Sequence, residues 1–217
     1  LRKEKVKRNL QPSILFMKIS WVDIKANDYI CNLFSSLTTY NREMMMVFRK
    51  LSENEILERI EQRKMEIRNL EKLPPLDKFY LSFISKYEGI EITPDIEIFE
   101  YEKALNENRY MATNYEIISK KVWIIGASGQ GDGWFINKEN NFVLFYDHEQ
   151  GEYSDMNQFT CFNIPFYSFL QMAFLYQDLE KLLDNQEYED KTLIAKFSEE
   201  INSIHADLYK IYPYNYF

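Results

Sequence analysis

Residues 124–136 read IIGASGQGDGWFI, with four of the chain's six glycines inside eight positions and an apolar run on either side. Glycine clusters beside strands serve as phosphate cradles or as turns, and the two choices lead to different folds. A Walker loop needs Lys and then Ser or Thr after its last glycine, so that ammonium and hydroxyl reach phosphate and Mg²⁺. Asp132, Gly133 and Trp134 occupy that region instead, and a carboxylate there repels phosphate. The dinucleotide fingerprint G-x-G-x-x-G must run from a strand into a helix, whereas this spacing is G-x-x-G-x-G-x-G and runs into the strand-like WFIN. The stretch therefore reads as a strand, a glycine-rich connection and a returning strand. Gly126, Gly129, Gly131 and Gly133 are its structural turn positions, the last three permitting positive φ.

Outward from this connection, all six glycines lie between residues 89 and 151, which predicts a turn-rich middle flanked by helical segments. Ser52 and Glu55 form a capping box ahead of a helix expected near 53–70, although Arg63 and Lys64 interrupt its apolar face. LPPLDKFYLSFISKYEG supplies a second helix, opened near Pro75, with Leu76, Tyr80, Phe83, Ile84 and Tyr87 on one face and Gly89 as its C-terminal cap. From 90 to 155 the pattern shortens to strand-length runs, IEIFE, KVWIIGA, GWFIN and FVLFYD, predicting a mostly antiparallel sheet. Pro165 then opens a helix with Phe166, Phe169, Leu170, Ala173 and Phe174 on one face; Met172, Leu175, Tyr176 and Leu179 demand cover on further sides. An amphipathic helix over 189–211 and the aromatic tail YKIYPYNYF are the expected cover; the tail either docks on the domain or is a binding surface. SILFMKISWVDI reads as a strand and MMMVFRKL as a helix end in the least legible part of the chain. The fold class is α+β: residues 1–51 an N-terminal extension packed on the domain, 52–183 the domain, and 184–217 a C-terminal helical extension.

Composition narrows the function. With 46% hydrophobic and 28% charged residues, and no apolar run near the length of a spanning helix, a soluble globular protein with no membrane segment is expected. Cys31 and Cys161 stand alone, so neither a zinc site nor a disulfide framework is signalled and a reducing cytoplasm fits. The formal charge is −8, and since the first ten residues carry +4, the rest carries −12. Such a body speaks against nucleic-acid binding and for a basic partner, if charge sets the partner at all. Between Glu88 and Cys161 there are 14 acidic and 5 basic residues, so much of the acidity falls in the sheet region.

The nearest approach to a catalytic constellation is YDHEQGEYSD, in which Asp147, His148, Glu149, Glu152 and Asp155 crowd together. Acid-base or metal chemistry needs several of them to converge, yet alternation along a strand places Asp147 and Glu149 on one face and His148 on the other. His205 sits in a polar helical stretch. No catalytic residue, metal site or cofactor is expected.

The order of LPPLDKFYLSFISKYEGI, IIGASGQGDGWFIN, FVLFYDHE and IPFYSFLQMAFL resembles the SUKH superfamily, in particular its SMI/KNR-type domains. Gly126, Gly131 and Asp132 resemble that family's strand connection, Tyr146 to Glu149 its aromatic-Asp-His-Glu strand end, and Phe166 to Leu170 its closing helix. The match spans residues 52–183, with Gly89-Ile90 in place of the usual Asn-Gly and Asn163-Ile164-Pro165 in place of Ala-x-Ser, the pattern of a divergent member. The resemblance implies a cytoplasmic, non-catalytic immunity protein that neutralises a polymorphic or contact-delivered toxin, a nuclease or deaminase among such toxins. A regulatory scaffold of the SMI/KNR type is the alternative it leaves open. Asp132, Trp134, Tyr146, Asp147 and Glu149 are the expected partner-binding residues, carboxylates for basic groups and aromatics as anchors, with core packing the other reading of Trp134 and Tyr146.

Overall fold

The computed structural model describes residues 48–184, 191–214 and 216. The chain divides into two units, Leu1–Val47 and Phe48–Phe217, and the described residues all belong to the second. The strand expected over 13–24, most of the helix end over 44–51, Cys31, and tail residues 215 and 217 lie outside the described residues.

Helix α1 (Glu53–Glu58) starts with the expected capping box, in which the Ser52 hydroxyl accepts from Glu55 N and the Glu55 carboxylate accepts from Ser52 N. It ends at Glu58, far short of residue 70. The following segment finds a backbone partner instead: Arg63 N donates to Lys86 O, Ile67 N to Ser85 O, and Glu88 N to Glu61 O. The Arg63 side chain, only 11% exposed, meets Glu88, Glu100 and Glu102. The charge that breaks the helical face is thus an anchor. Helix α2 (Lys78–Lys86) is capped by Asp77, and it stops at Tyr87 without using Gly89. A Cβ on Gly89 would lie 2.8 Å from Ile98 O, so this glycine permits a close backbone crossing.

The sheet is antiparallel throughout, a meander of β1 (Ile90–Thr93), β2 (Ile96–Ile98), β3 (Val122–Ala127), β4 (Gly133–Asn137), β5 (Val143–Tyr146) and β6 (Phe159–Cys161), in sequence order. The α+β architecture expected from the sequence is present. Between β2 and β3 the chain inserts α3 (Tyr101–Asn114) and the short α4 (Glu116–Ser119), where strand-length runs are expected. The signal for α3 is legible in retrospect: its buried residues Tyr101, Ala104, Leu105, Asn108 and Met111 recur at helical spacing, and Glu100 caps it. Asn108 ties α3 to β3, giving Nδ2–H to Ile124 O and accepting from Ile124 N.

Strands β4 and β5 are buried on both faces, which is why GWFI and VLFY show no polar alternation. Trp134 and Phe145 face α5 (Phe166–Leu183), Trp134 lying 4.9 Å from the Phe169 ring; Phe135 and Tyr146 pack on the other side with Tyr153 and Phe159. Each large ring buried in this way stabilises the fold by about 1.5–3 kcal/mol. As the sequence requires, α5 is covered on several sides: α6 (Lys191–Ile204) buries Leu193, Phe197 and Ile201, and Tyr176 of α5 meets Phe197 edge-on and stacks on Tyr212. After α7 (Leu208–Ile211) the tail docks on this unit, the Tyr176 and Tyr212 centroids 3.7 Å apart. Among the described residues no helix is long and apolar enough to cross a membrane.

Candidate functional site

The glycine-rich connection is a turn, though a different one from that expected. Gly126 and Gly133 belong to β3 and β4, and positive φ occurs at Gly131 (100°) but not at Gly129 or Gly133. A Cβ on Gly126 would sit 2.1 Å from Glu97 O, so it serves the close approach of β2 beside the irregularity between Ile124 and Gly126. The connection is locked from within: Ser128 N donates to Asp132 O at 3.0 Å, and Asp132 N to the Ser128 hydroxyl at 3.1 Å. Gly129 N donates to Pro94 O at 2.8 Å, which fastens the β1–β2 turn beside it.

Asp132 is the hub. Its carboxylate is 5% exposed and accepts from four donors. Oδ2 takes the Ser128 hydroxyl at 2.9 Å and the Tyr214 hydroxyl at 2.5 Å. Oδ1 takes His148 N at 3.1 Å and His148 Nδ1 at 2.6 Å. A carboxylate only accepts, so Nδ1 of His148 carries the proton in this bond, while the side chain as a whole stays half exposed. Burial alone would raise the Asp132 pKa, but the bonds from Tyr214, His148 and Ser128 outweigh it and hold the group below its ordinary 3.8. Reciprocally, the bond to Asp132 lifts the His148 pKa above 6.5.

The expected partner-binding residues divide. Trp134 is fully buried and its Nε1 donates to Asp95 O at 2.9 Å. Tyr146 is 1% exposed and gives its hydroxyl to Gly151 O. Both rings fill the core, so neither is a surface anchor. Asp132 is spent inside the turn. Strand β5 ends at Tyr146 and His148–Gln150 forms a single 3₁₀ turn, so alternation no longer applies: Asp147 caps that turn by accepting from Glu149 N, while His148 swings in to Asp132. Asp147 and Glu149 stay near the surface. Atoms of Asp132, Asp147 and His148 lie within 4.8 Å of one another, the reach of a metal ion. A cation at that place would have to displace donors from an already saturated Asp132, so these residues fit an internal lock better than a metal centre. His205, at the end of α6, sets its ring nitrogen against Ala206 O.

A second set of carboxylates, which the sequence does not single out, lies beside the hub. Asp95 from the β1–β2 turn and Glu180 from α5 line an open groove of about 470 Å³ with Pro94, Gln130, Tyr214 and Tyr216. The Tyr216 hydroxyl stands 3.0 Å from Asp95 Oδ2 and 2.5 Å from Glu180 Oε1. One hydroxyl has one proton, so it satisfies one of these carboxylates at a time. Among the described residues no ammonium or guanidinium pairs with either. Burial raises the pKa of both, Asp95 further through the Asp132 charge and Glu180 through Asp95 and Asp184. Burial, together with the same pair, pushes the Tyr216 hydroxyl well up. The aromatic tail is the visible clue in the sequence. Its carboxylate partners are not, since Tyr216 reaches Asp95 across 121 positions. Set against protein-family models, curated proteins and solved structures, the chain matches none.

Proposed function

We propose that this chain is a non-catalytic binding protein that acts in the cytoplasm to neutralise a basic protein toxin, as SUKH-type immunity proteins do, with the Asp95–Glu180 groove as part of its docking face. The observation that carries this reading is the shortage of donors in the groove: two half-buried carboxylates share a single hydroxyl proton. An arginine or lysine from a partner supplies the missing donors, and the tyrosine rings of the tail offer it an aromatic wall. Asp147 and Glu149, near the surface, add to an acidic field that speeds encounter with a basic surface. The family reading rests on the order of motifs over 52–183 and on the antiparallel sheet with its closing helix.

The test is co-expression of the chain with the product of its neighbouring gene, followed by co-purification across a salt series. A stoichiometric complex that suppresses the neighbour's toxicity and weakens in high salt is expected. Asp95→Lys with Glu180→Lys is expected to abolish the complex while the thermal unfolding of the free chain persists. Toxicity that persists undiminished, or a complex indifferent to the double reversal, defeats the immunity reading or the placement respectively. Stable capture of the chain by a housekeeping assembly of its own cell supports the scaffold reading instead.

A further inference from the structure

The acidic segment from Glu88 to Cys161 holds five basic residues, and three of them, Lys120, Lys121 and Lys138, line one groove of about 470 Å³ with Asn137, Glu139 and Met156. The convergence follows from the sheet: Lys138 N donates to Lys121 O at 2.8 Å, so the two lysines leave adjoining ends of β4 and β3. The Lys138 ammonium lies 5.6 Å from the Trp123 ring centroid and donates to Ser119 O at 2.5 Å. Among the described residues no carboxylate pairs with Lys138 or Lys121, and Lys120 reaches only the exposed Glu116, at 2.7 Å. Burial lowers the Lys138 pKa. A half-buried ammonium with only a carbonyl and a ring face for company is undercompensated, and an anion restores the balance.

We propose that this groove binds a small phosphate-bearing anion, with Lys138 as the anchoring cation and Lys121 and Lys120 meeting the remaining oxygens. Lysine acts on phosphate as a point charge, so three lysines lining one groove suit a tetrahedral group with several oxygens. The groove's size suits a small molecule, and the chain's formal charge of −8 repels a nucleic-acid polymer. Glu139 on the lining sets a repulsive side that orients the anion.

Titration of the full chain with inorganic pyrophosphate at constant ionic strength, followed through the lysine side-chain resonances, tests this. Saturable binding with an upward shift of the Lys138 pKa is expected. Lys121→Ser, at an exposed position, is expected to weaken binding roughly tenfold, and Glu139→Gln to strengthen it. Adenosine diphosphate bound as well as pyrophosphate shows that phosphate alone is read; tighter binding identifies a nucleotide as the source. A response matched by added chloride, no saturation, or a Lys121→Ser variant that binds undiminished overturns the proposal. The result is independent of toxin binding, since Asp95 and Glu180 do not line this groove.

Discussion

Asp132 and the pair Asp95 and Glu180 are carboxylates of one neighbourhood, yet they are opposites. Asp132 has four donors for one carboxylate, whereas Asp95 and Glu180 share one hydroxyl between two. Saturation pulls the pKa of the first down despite burial, and scarcity leaves burial to push the other two up. Donor count, more than depth, separates a carboxylate that holds the fold from one kept at a cost to it. Groups of the second kind are the ones expected where a partner binds.

The largest test of this contrast is Asp132→Ala. Removing the acceptor strands the Ser128 and Tyr214 hydroxyls and frees His148, and a loss of about 2–3 kcal/mol in denaturant unfolding is expected. Its pH dependence has a definite sign. The folded pKa of Asp132 is depressed, so its contribution is present above 3.8 and fades as the pH falls through the lowered value. The folded pKa of His148 is raised, so its contribution is full below 6.5 and fades as the pH rises through the raised value. The difference between wild type and Asp132→Ala is therefore greatest between pH 3.8 and 6.5. A difference that is flat across that range and beyond breaks the account.

A smaller effect is expected for Tyr214→Phe, which keeps the ring against Phe145, with centroids 5.8 Å apart, and removes one of the four donors. About 1 kcal/mol should be lost, and an NMR titration should show the His148 pKa still above 6.5, because its own bond to Asp132 persists. A return to 6.5 would mean that the tail, and not the turn, holds His148 in place.

The smallest effect carries the opposite sign. Glu180→Gln removes a carboxylate whose folded pKa is raised, a group whose stabilising contribution is full below pH 4.5 and fades as the pH rises through the raised value. At neutral pH the variant should unfold no more easily than wild type and gain at most about 0.5 kcal/mol, since the group is partly solvated. Loss of partner binding with stability unharmed would sharpen the distinction between hub and groove; a loss of stability as large as that of Asp132→Ala would erase it.

Local chemistry made much of this molecule legible. Ser52 and Glu55 mark a helix start through bonds three residues apart, Pro165 and the Phe166–Leu179 periodicity mark the closing helix, and Asp132 in the glycine stretch rules out a phosphate cradle. Each depends on neighbours in the chain, so each is written in the order of residues. The site was less legible. Asp132 stood out, but the anchoring roles expected of Trp134 and Tyr146 gave way to the core because strands β4 and β5 are covered on both faces. Helix α1 stopped early because 61–67 found backbone partners in 85–88, and the helical spacing of 101–114 was hidden among strand-like runs.

The sequence by itself therefore determined the class of fold, the coarse succession of helix, sheet and helix, and the acidic character of the body, but not the two helices inserted between β2 and β3. Only the tertiary structure decided which carboxylate is satisfied and which is left short of donors. The tyrosine hydroxyls that reach Asp132, Asp95 and Glu180 come from 82, 121 and 36 positions away, and a residue's own neighbours in the chain carry no record of such distant partners.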